Sequence, residues 1–177
     1  MAGISPWEYA KDSEHSHQAA LFMWANMACR FGYAAAGDVS SYKRAGVAAA
    51  YLEQYRDQVT QLKWLHAIHN QGHGDKIRGA QAKAEGTKAG VYDLFLPVPM
   101  HVSATQAMQA YPKKLGFAEI WTGLYLELKV GTNKPSAIQN EFGADMATVG
   151  YATEVAWGWL EARNKLLAYL GLPLYRE

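Results

Sequence analysis

The sequence predicts a mixed α/β domain, a central sheet flanked by helices. Three observations carry that expectation. Val91–Leu96 and Leu124–Val130 are apolar runs of strand length. Glu14–Cys29, Ser136–Val149 and Leu160–Leu170 repeat apolar residues at helical spacing. The two kinds of segment follow one another as helices, strands, helix, strand, helix, the order of one α/β domain.

Along the chain, Met1–Asp12 reads as an irregular arm. Ser13 is placed to cap a helix over Glu14–Cys29, because its hydroxyl can accept a first-turn N–H. Glu14, Gln18, Leu21, Ala25 and Ala28 then share one face, so two polar groups extend a core-facing stripe. Gly32–Ser41 reads as a small polar connection, and Ala45–Val59 as a second helix. Leu62–Ile68 is apolar enough for a strand. His69–Gly74 reads as a turn, since Asn70, Gly72 and Gly74 loosen the backbone, and Ile77–Ala84 as helical. Gly86 and Gly90 bracket a tight turn into the Val91–Leu96 strand, which Pro97 and Pro99 end. Val102–Phe117 reads as an inserted loop or short helix between two strands that would otherwise form a hairpin. Gly123 starts the next strand. Gly131–Pro135 turns the chain into the Ser136–Val149 helix, with Ile138, Phe142, Met146 and Val149 facing inward. Tyr151–Trp157 reads as a last strand, followed by the Leu160–Leu170 helix and Pro173.

Composition bounds the function. The 177 residues suffice for a core of their own, and a single domain over 1–177 is expected. Half of them are apolar and the net charge is +1, so net charge gives no case for a nucleic-acid partner. The charge is unevenly spread, however. Lys76, Arg78, Lys83 and Lys88 precede the first acid-bearing strand, and Lys113, Lys114, Lys129 and Lys134 surround the second. A basic middle of this kind reads as a phosphate footprint or as solvated lysines. Cys29 is the single cysteine, which excludes an intrachain disulfide or a Cys-based zinc site. There is no signal-peptide pattern and no run near the ~20 apolar residues of a membrane span. A soluble, cytoplasmic protein is expected.

The chemistry sits in the two strands. Asp93 interrupts Val91-Tyr92-Asp93-Leu94-Phe95-Leu96, and Glu127 and Lys129 interrupt Leu124-Tyr125-Leu126-Glu127-Leu128-Lys129-Val130. Residues two apart share a strand face, so Glu127 and Lys129 point the same way. A charge buried in such a segment must be paired or bind a metal. Hydrolysis of a phosphodiester needs an activated water and relief of the charge building on phosphoryl oxygens, which divalent metals supply. Mg²⁺ takes carboxylates, carbonyls and water. Asp93 and Glu127 are the candidate carboxylates, the Leu128 carbonyl a third oxygen, and Glu14 an acid reaching in from the first helix. Lys129 is the candidate for orienting or deprotonating the water, or for stabilising the transition state.

These residues, with their neighbours, resemble the PD-(D/E)xK nuclease superfamily, and within it the VRR-NUC (virus-type replication–repair nuclease) family. The resemblance covers most of the chain. It rests on Ser13-Glu14 with Gln18 and Trp24, then Leu65-His66-Ala67-Ile68-His69-Asn70. Lys83-Ala84-Glu85-Gly86-Thr87-Lys88-Ala89-Gly90-Val91-Tyr92-Asp93-Leu94-Phe95-Leu96-Pro97 follows. Gly123-Leu124-Tyr125-Leu126-Glu127-Leu128-Lys129, Ser136 with Gln139, and Gly150-Tyr151 complete it. Two features depart from the pattern. His69-Asn70-Gln71-Gly72 stands where the family usually has Pro-Asn-Gly-Gly, and the connection from about Met100 to Trp121 is long, as a DNA-contacting arm, dimer contact or lid would be.

The resemblance implies a restriction-endonuclease-like core and Mg²⁺- or Mn²⁺-dependent endonucleolytic cleavage of structured or branched DNA, leaving a 5′-phosphate. It implies Asp93, Glu127 and Glu14 as metal-binding acids and Lys129 as the catalytic lysine. Gln18, Gln139, Lys88 and Asn70 become contacts to phosphate or to the ligands. It further implies a homodimer of the stand-alone, phage-encoded type, acting in DNA repair.

Blander readings stand beside these. Asp93 can cap a loop or pair with Lys88. Glu127 and Lys129 can be a surface pair on an edge strand, and Glu14 can simply favour a helix N-terminus. Gln18 and Gln139 can be helix-surface amides. His15 and His17 read as solvated, with His17 within reach of DNA. Tyr92 and Tyr125 are candidate substrate contacts. His66, His69 and His73 are spaced for a metal only on a helix, which Gly72 and Gly74 oppose, and their likeness to an HNH nuclease is faint. Two other function classes remain, a catalytically silent nucleic-acid-binding or assembly module of the same fold and a metal-dependent nucleotide phosphohydrolase.

Overall fold

The computed structural model describes residues 5–37, 58–68, 84–101 and 120–175. The fold is α/β, with a mixed central sheet flanked by α-helices, and it contains two compact units. The expected Ala45–Val59 helix apart from Gln58 and Val59, the His69–Gly74 turn, the Ile77–Ala84 helix apart from Ala84, and the Val102–Phe117 insert lie outside the described residues. So do Asn70, His69, His73, Lys76, Arg78, Lys83, Lys113 and Lys114.

One unit holds the described parts of residues 1–65, together with 128–133 and 156–177. Helix α1 (Pro6–Tyr9) occupies what reads as an irregular arm. Ser5 and Glu8 explain the difference: their side chains each accept a bond from the other's backbone N–H, a reciprocal cap, and Pro6 suits the first helical position. Helix α2 (Glu14–Phe31) starts at the expected cap, with Ser13 Oγ accepting the Ser16 N–H at 3.1 Å. It buries Leu21, Ala25 and Ala28 of the expected stripe, leaves Glu14 and Gln18 half-buried, and also buries Trp24. Trp24 is wholly enclosed, so Trp24→Ala would cost about 3–5 kcal/mol. A short helix α3 (Tyr33–Gly37) replaces the first half of the expected polar connection, after Gly32 breaks α2 at φ 93°.

Thr60–Trp64 is a 3₁₀ turn rather than strand. The three-residue spacing of Leu62 and Leu65 fits one such turn, which buries both and leaves Lys63 and Trp64 outside. Val59 N–H ties the turn to the Ala28 carbonyl of α2 at 3.1 Å. Helix α5 (Trp159–Tyr169) ends the unit's core with Ala162, Leu166 and Leu167.

The other unit holds residues 66–127 and 134–155. Strand β1 is only His66–Ala67, and β2 only Leu94–Leu96. The sheet order is β1-β2-β5-β6, with β5 spanning Leu124–Lys129 and β6 Ala152–Trp157, and both long strands run on from this unit into the first. Strands β1 and β5 each pair antiparallel with β2. The bonds from Ala152 N–H to Gly123 O and from Gly158 N–H to Lys129 O keep one sequence offset, which is parallel pairing.

Gly86 and Gly90 take φ of 96° and 84° in the turn before β2, as their positions in the sequence suggest. A side chain at Gly90 would also overlap Ile138. Strands β3 (Met100–His101) and β4 (Ile120–Trp121) pair with each other, so the two ends of the insert are zipped together. Helix α4 (Ala137–Thr148) departs from its expected inward stripe. Ile138 is 52 % and Val149 60 % exposed, Phe142 and Met146 are half-buried, and Gly143 is the buried position. The reason is close approach: a Cβ at 143 would overlap the Tyr92 hydroxyl, so the helix docks through its smallest residue. Among the described residues, no helix is long and apolar enough to cross a membrane.

Candidate functional site

Strand β5 lies inside the sheet, between β2 and β6. The edge-strand reading of Glu127 and Lys129 is therefore wrong. Glu127 is 0 % and Lys129 7 % exposed, and Leu124, Leu126 and Leu128 are each 1 % exposed. Both faces of this strand are covered, which is why the run shows almost no polar alternation.

Within the β1-β2-β5 unit, the antiparallel register pairs Leu94 with Leu126, Phe95 with Tyr125 and Leu96 with Leu124. Continued by one residue, the same register sets Asp93 opposite Glu127. Opposed residues of an antiparallel pair have their side chains on one face, with Cβ atoms about 4.5–5.5 Å apart. Asp93 is half-buried, and its carbonyl accepts the Ile68 N–H at 2.7 Å, which extends the ladder past the end of β2. Gln139 meets the Glu127 carboxylate from α4, its Nε2 donating to Oε1. The other end of the Gln139 amide is fixed, because its Oε1 accepts the Ser136 N–H at 2.8 Å while its own N–H reaches Ser136 Oγ. Gln139 is thus a helix cap and a carboxylate partner at once, not a surface amide.

The aromatic residues of this unit form a cluster. Tyr125 stacks on Phe95 with centroids 4.3 Å apart and meets Phe142 and Tyr151 edge-on at 5.1 and 5.2 Å. Burial first, then the neighbouring Tyr151, raises the Tyr125 hydroxyl above its ordinary pKa. Tyr92 is buried against α4, which removes it as a substrate contact. Lys88 lies exposed on the turn between Gly86 and Gly90. His66, an exposed strand residue, sits edge-on to Phe95 at 5.7 Å.

Within the helical unit, Glu14 lies in the first turn of α2. Glu14 Oε1 is 3.8 Å from Lys129 Nζ and accepts a bond from Asn133 Nδ2 at 3.4 Å. Glu14 is therefore more than a favourable charge at a helix end. Gln18 lies one turn further along α2, half-buried. Trp157 Nε1 donates to the Asn133 carbonyl at 2.8 Å, tying the end of β6 to the turn after β5, and Trp157 N–H donates to Glu161 Oε2 at 2.9 Å, tying it to the first turn of α5. His17 is engaged in the fold rather than solvated: its Nδ1 accepts the Trp159 N–H at 3.1 Å. Sequence reasoning missed this role, although Gly158 is a helix start without a capping side chain and advertises the need for one. Among the described residues, no group of three or more His, Cys, Asp or Glu side chains is placed to hold a metal ion.

No family model matches the sequence. No curated protein matches it either. A solved structure described as a VRR_NUC domain protein does match, with TM-score 0.55 and 17 % identity, over 94 % of this chain and 95 % of that one. The shared feature is the fold, and it is the restriction-endonuclease-like α/β architecture expected from the sequence.

Proposed function

We propose that this chain is a nuclease that hydrolyses DNA phosphodiester bonds with Mg²⁺ or Mn²⁺, on structured or branched DNA. The observation that carries the reading is the register of β2 on β5, which runs Asp93 opposite a wholly buried Glu127. Two carboxylates at one sheet position repel each other unless a cation lies between them or a proton is shared. The donors are hard oxygens, and Mg²⁺ bound through one or two carboxylates keeps several of its waters, so three clustered acids are not required. In this reading Asp93 and Glu127, with the Leu128 carbonyl and Glu14 as further oxygen donors, hold one or two ions. Such an ion supplies a nucleophilic water and withdraws charge from phosphoryl oxygens.

The chain's own groups then divide the work. Lys129 orients the attacking water and, as an ammonium held by Glu14, offsets charge on the phosphoryl group. Gln139 keeps the Glu127 carboxylate in one orientation. Gln18, Lys88 and Asn70 contact phosphates. Water attacks phosphorus, the P–O3′ bond breaks, and the products carry a 5′-phosphate and a 3′-hydroxyl. Backbone contacts, rather than base readout, select the substrate, and a homodimer places two such sites on two strands. The protein acts inside a cell, as a phage-encoded repair nuclease.

The test is nicking of linear, supercoiled, flap and four-way-junction DNA with Mg²⁺, Mn²⁺ or EDTA, the wild type beside Lys129→Ala. Metal-dependent cleavage lost in the variant supports the assignment. Equal cleavage by both proteins removes Lys129 from the mechanism. DNA binding without cleavage leaves a silent module, and turnover of mononucleotides alone leaves a phosphohydrolase.

A further inference from the structure

We propose that His17 is a positioning residue for Lys129, acting through the Gly158 turn with a neutral imidazole whose bare nitrogen is Nδ1. The inference rests on the reading of Lys129 as a catalytic group and goes beyond it to what holds that lysine in place.

Helix α5 starts at Gly158, which has no side chain to satisfy the first-turn donors. Gly158 adopts φ 83° and ψ 164°, a conformation that side-chain-bearing residues rarely take. A Cβ there would also come within 3.3 Å of His17 Nδ1, tighter than ordinary contact. The glycine thus lets the imidazole close on the turn, and the imidazole replaces the missing cap by accepting the Trp159 N–H at 3.1 Å. An aromatic nitrogen accepts only when it carries no proton, so the ring proton belongs on Nε2. The turn locked in this way presents the Gly158 N–H to the Lys129 carbonyl at 2.8 Å, fixing the backbone of the catalytic candidate.

The link closes on the other side of the same lysine. His17 follows Glu14 by three residues on α2, so both side chains leave one helical face. Glu14 takes the Lys129 amine at 3.8 Å while His17 fixes the turn that holds the Lys129 carbonyl. One turn of α2 therefore grips Lys129 at both ends. Trp7 packs edge-on against Trp159 with centroids 4.8 Å apart, which keeps the start of α5 in place apart from the hydrogen bond. Loss of the imidazole should for that reason loosen the turn without unfolding the helix.

The experiment compares His17→Ala, His17→Asn and His17→Gln with the wild type. An Asn amide can put an acceptor where Nδ1 sits, and Gln reaches the place of Nε2. In the nicking assay, Ala and Gln should lower kcat by roughly 10- to 100-fold with KM for DNA nearly unchanged, since misplacement by about an ångström costs up to that much. Asn should restore most of the loss. A second readout is independent of cleavage. Ring-nitrogen NMR should find the His17 proton on Nε2, and the amide signals of Gly158 and Trp159 and the side-chain amine signal of Lys129 should move in Ala and Gln but return in Asn. A proton on Nδ1, or Lys129 signals unmoved in His17→Ala, overturns the proposal whatever the activity. Correct NMR behaviour in a protein that cleaves no DNA keeps the link from His17 to Lys129 and discards the nuclease reading.

Discussion

Gln139 closes the first turn of α4 with one end of its amide and donates to the buried Glu127 carboxylate with the other. One side chain therefore couples a helix start to the acid at the centre of the sheet. The two jobs can be separated because Ser136 shares only the first. Ser136→Ala removes the hydroxyl that accepts the Gln139 N–H and should cost about 1 kcal/mol, with cleavage close to wild type. Gln139→Leu loses the cap and a donor to a buried charge, for a further ~1–3 kcal/mol, and should lower cleavage by about 10- to 100-fold. Urea denaturation beside the nicking assay checks both. Equal loss of activity in the two variants would reduce Gln139 to a cap.

Glu127→Gln tests the acid pair itself. The amide has the shape of the carboxylate and lacks its charge, so the packing of β5 should survive. Cleavage should fall by ~10²–10³-fold or more, in the range of a lost electrostatic contribution at a reacting centre. Melting temperature gives a second answer. A ligand that binds only the folded state raises stability with its concentration, so Mg²⁺ or Mn²⁺ should raise the melting temperature of the wild type and leave that of Glu127→Gln unmoved. The same metal-induced rise in both proteins would place the ion elsewhere.

How much of this was legible in the sequence depended on how local each signal is. The Ser13 cap, the helix read as Glu14–Cys29 and found to run to Phe31, the glycine turn before Asp93 and the Glu127 strand each announce themselves within a few residues. The common strand face of Glu127 and Lys129 follows from the two-residue repeat alone. Helix α1 is missed although its Ser5 and Glu8 cap is local; the other failures are tertiary. Leu62 and Leu65 look alike in a strand and a 3₁₀ turn, and only packing on α2 decides between them. The apolar stripe of α4 points to a docking face through Ile138 and Val149, whereas the helix approaches through Gly143 because Tyr92 leaves no room for more. Gln139 and His17 look like solvent-facing polar residues until partners distant in sequence are brought to them.

Alkaline pH should destabilise the helical unit through its half-buried tyrosines. Burial pushes the Tyr175 hydroxyl up to about 12, while an unfolded tyrosine titrates near 10. Between those values the folded chain holds a proton that the unfolded chain has released, so stability falls as pH rises. The contribution is fully present below pH ~10 and gone above pH ~12. Burial raises Tyr33 and Tyr169 in the same direction, with Arg163 partly offsetting the effect at Tyr33. Tyr175→Phe should therefore flatten the decline of melting temperature across this window without abolishing it. It should also lower stability at neutral pH, because the hydroxyl accepts from Trp24 Nε1 at 3.1 Å and donates to the Tyr33 carbonyl at 2.7 Å. A pH profile parallel to the wild type would show that Tyr175 is not the titrating group.

The contact of Tyr92 with Gly143 sets how closely α4 sits on the rest of its own unit, which carries Glu127. Gly143→Ala combines two opposed effects. Alanine favours the helix by about 1 kcal/mol over glycine, but its methyl would overlap the Tyr92 hydroxyl, and overpacking costs typically 1–3 kcal/mol. The clash should win, because Tyr92 is a rigid ring that is buried and leans on Phe142 at 5.4 Å. Tyr92→Phe removes the overlapping oxygen and leaves a ring carbon 2.9 Å from the new methyl, still tight but with less to displace. The double variant should then be more stable than the two single losses predict, by ~1 kcal/mol or more, a coupling expected only of residues in contact. Displacement of α4 also moves Gln139, so cleavage should fall in Gly143→Ala and partly recover in the double variant. Additive stabilities would mean that α4 can back away from Tyr92 at no cost, and the hold of Gln139 on Glu127 would then not depend on this packing.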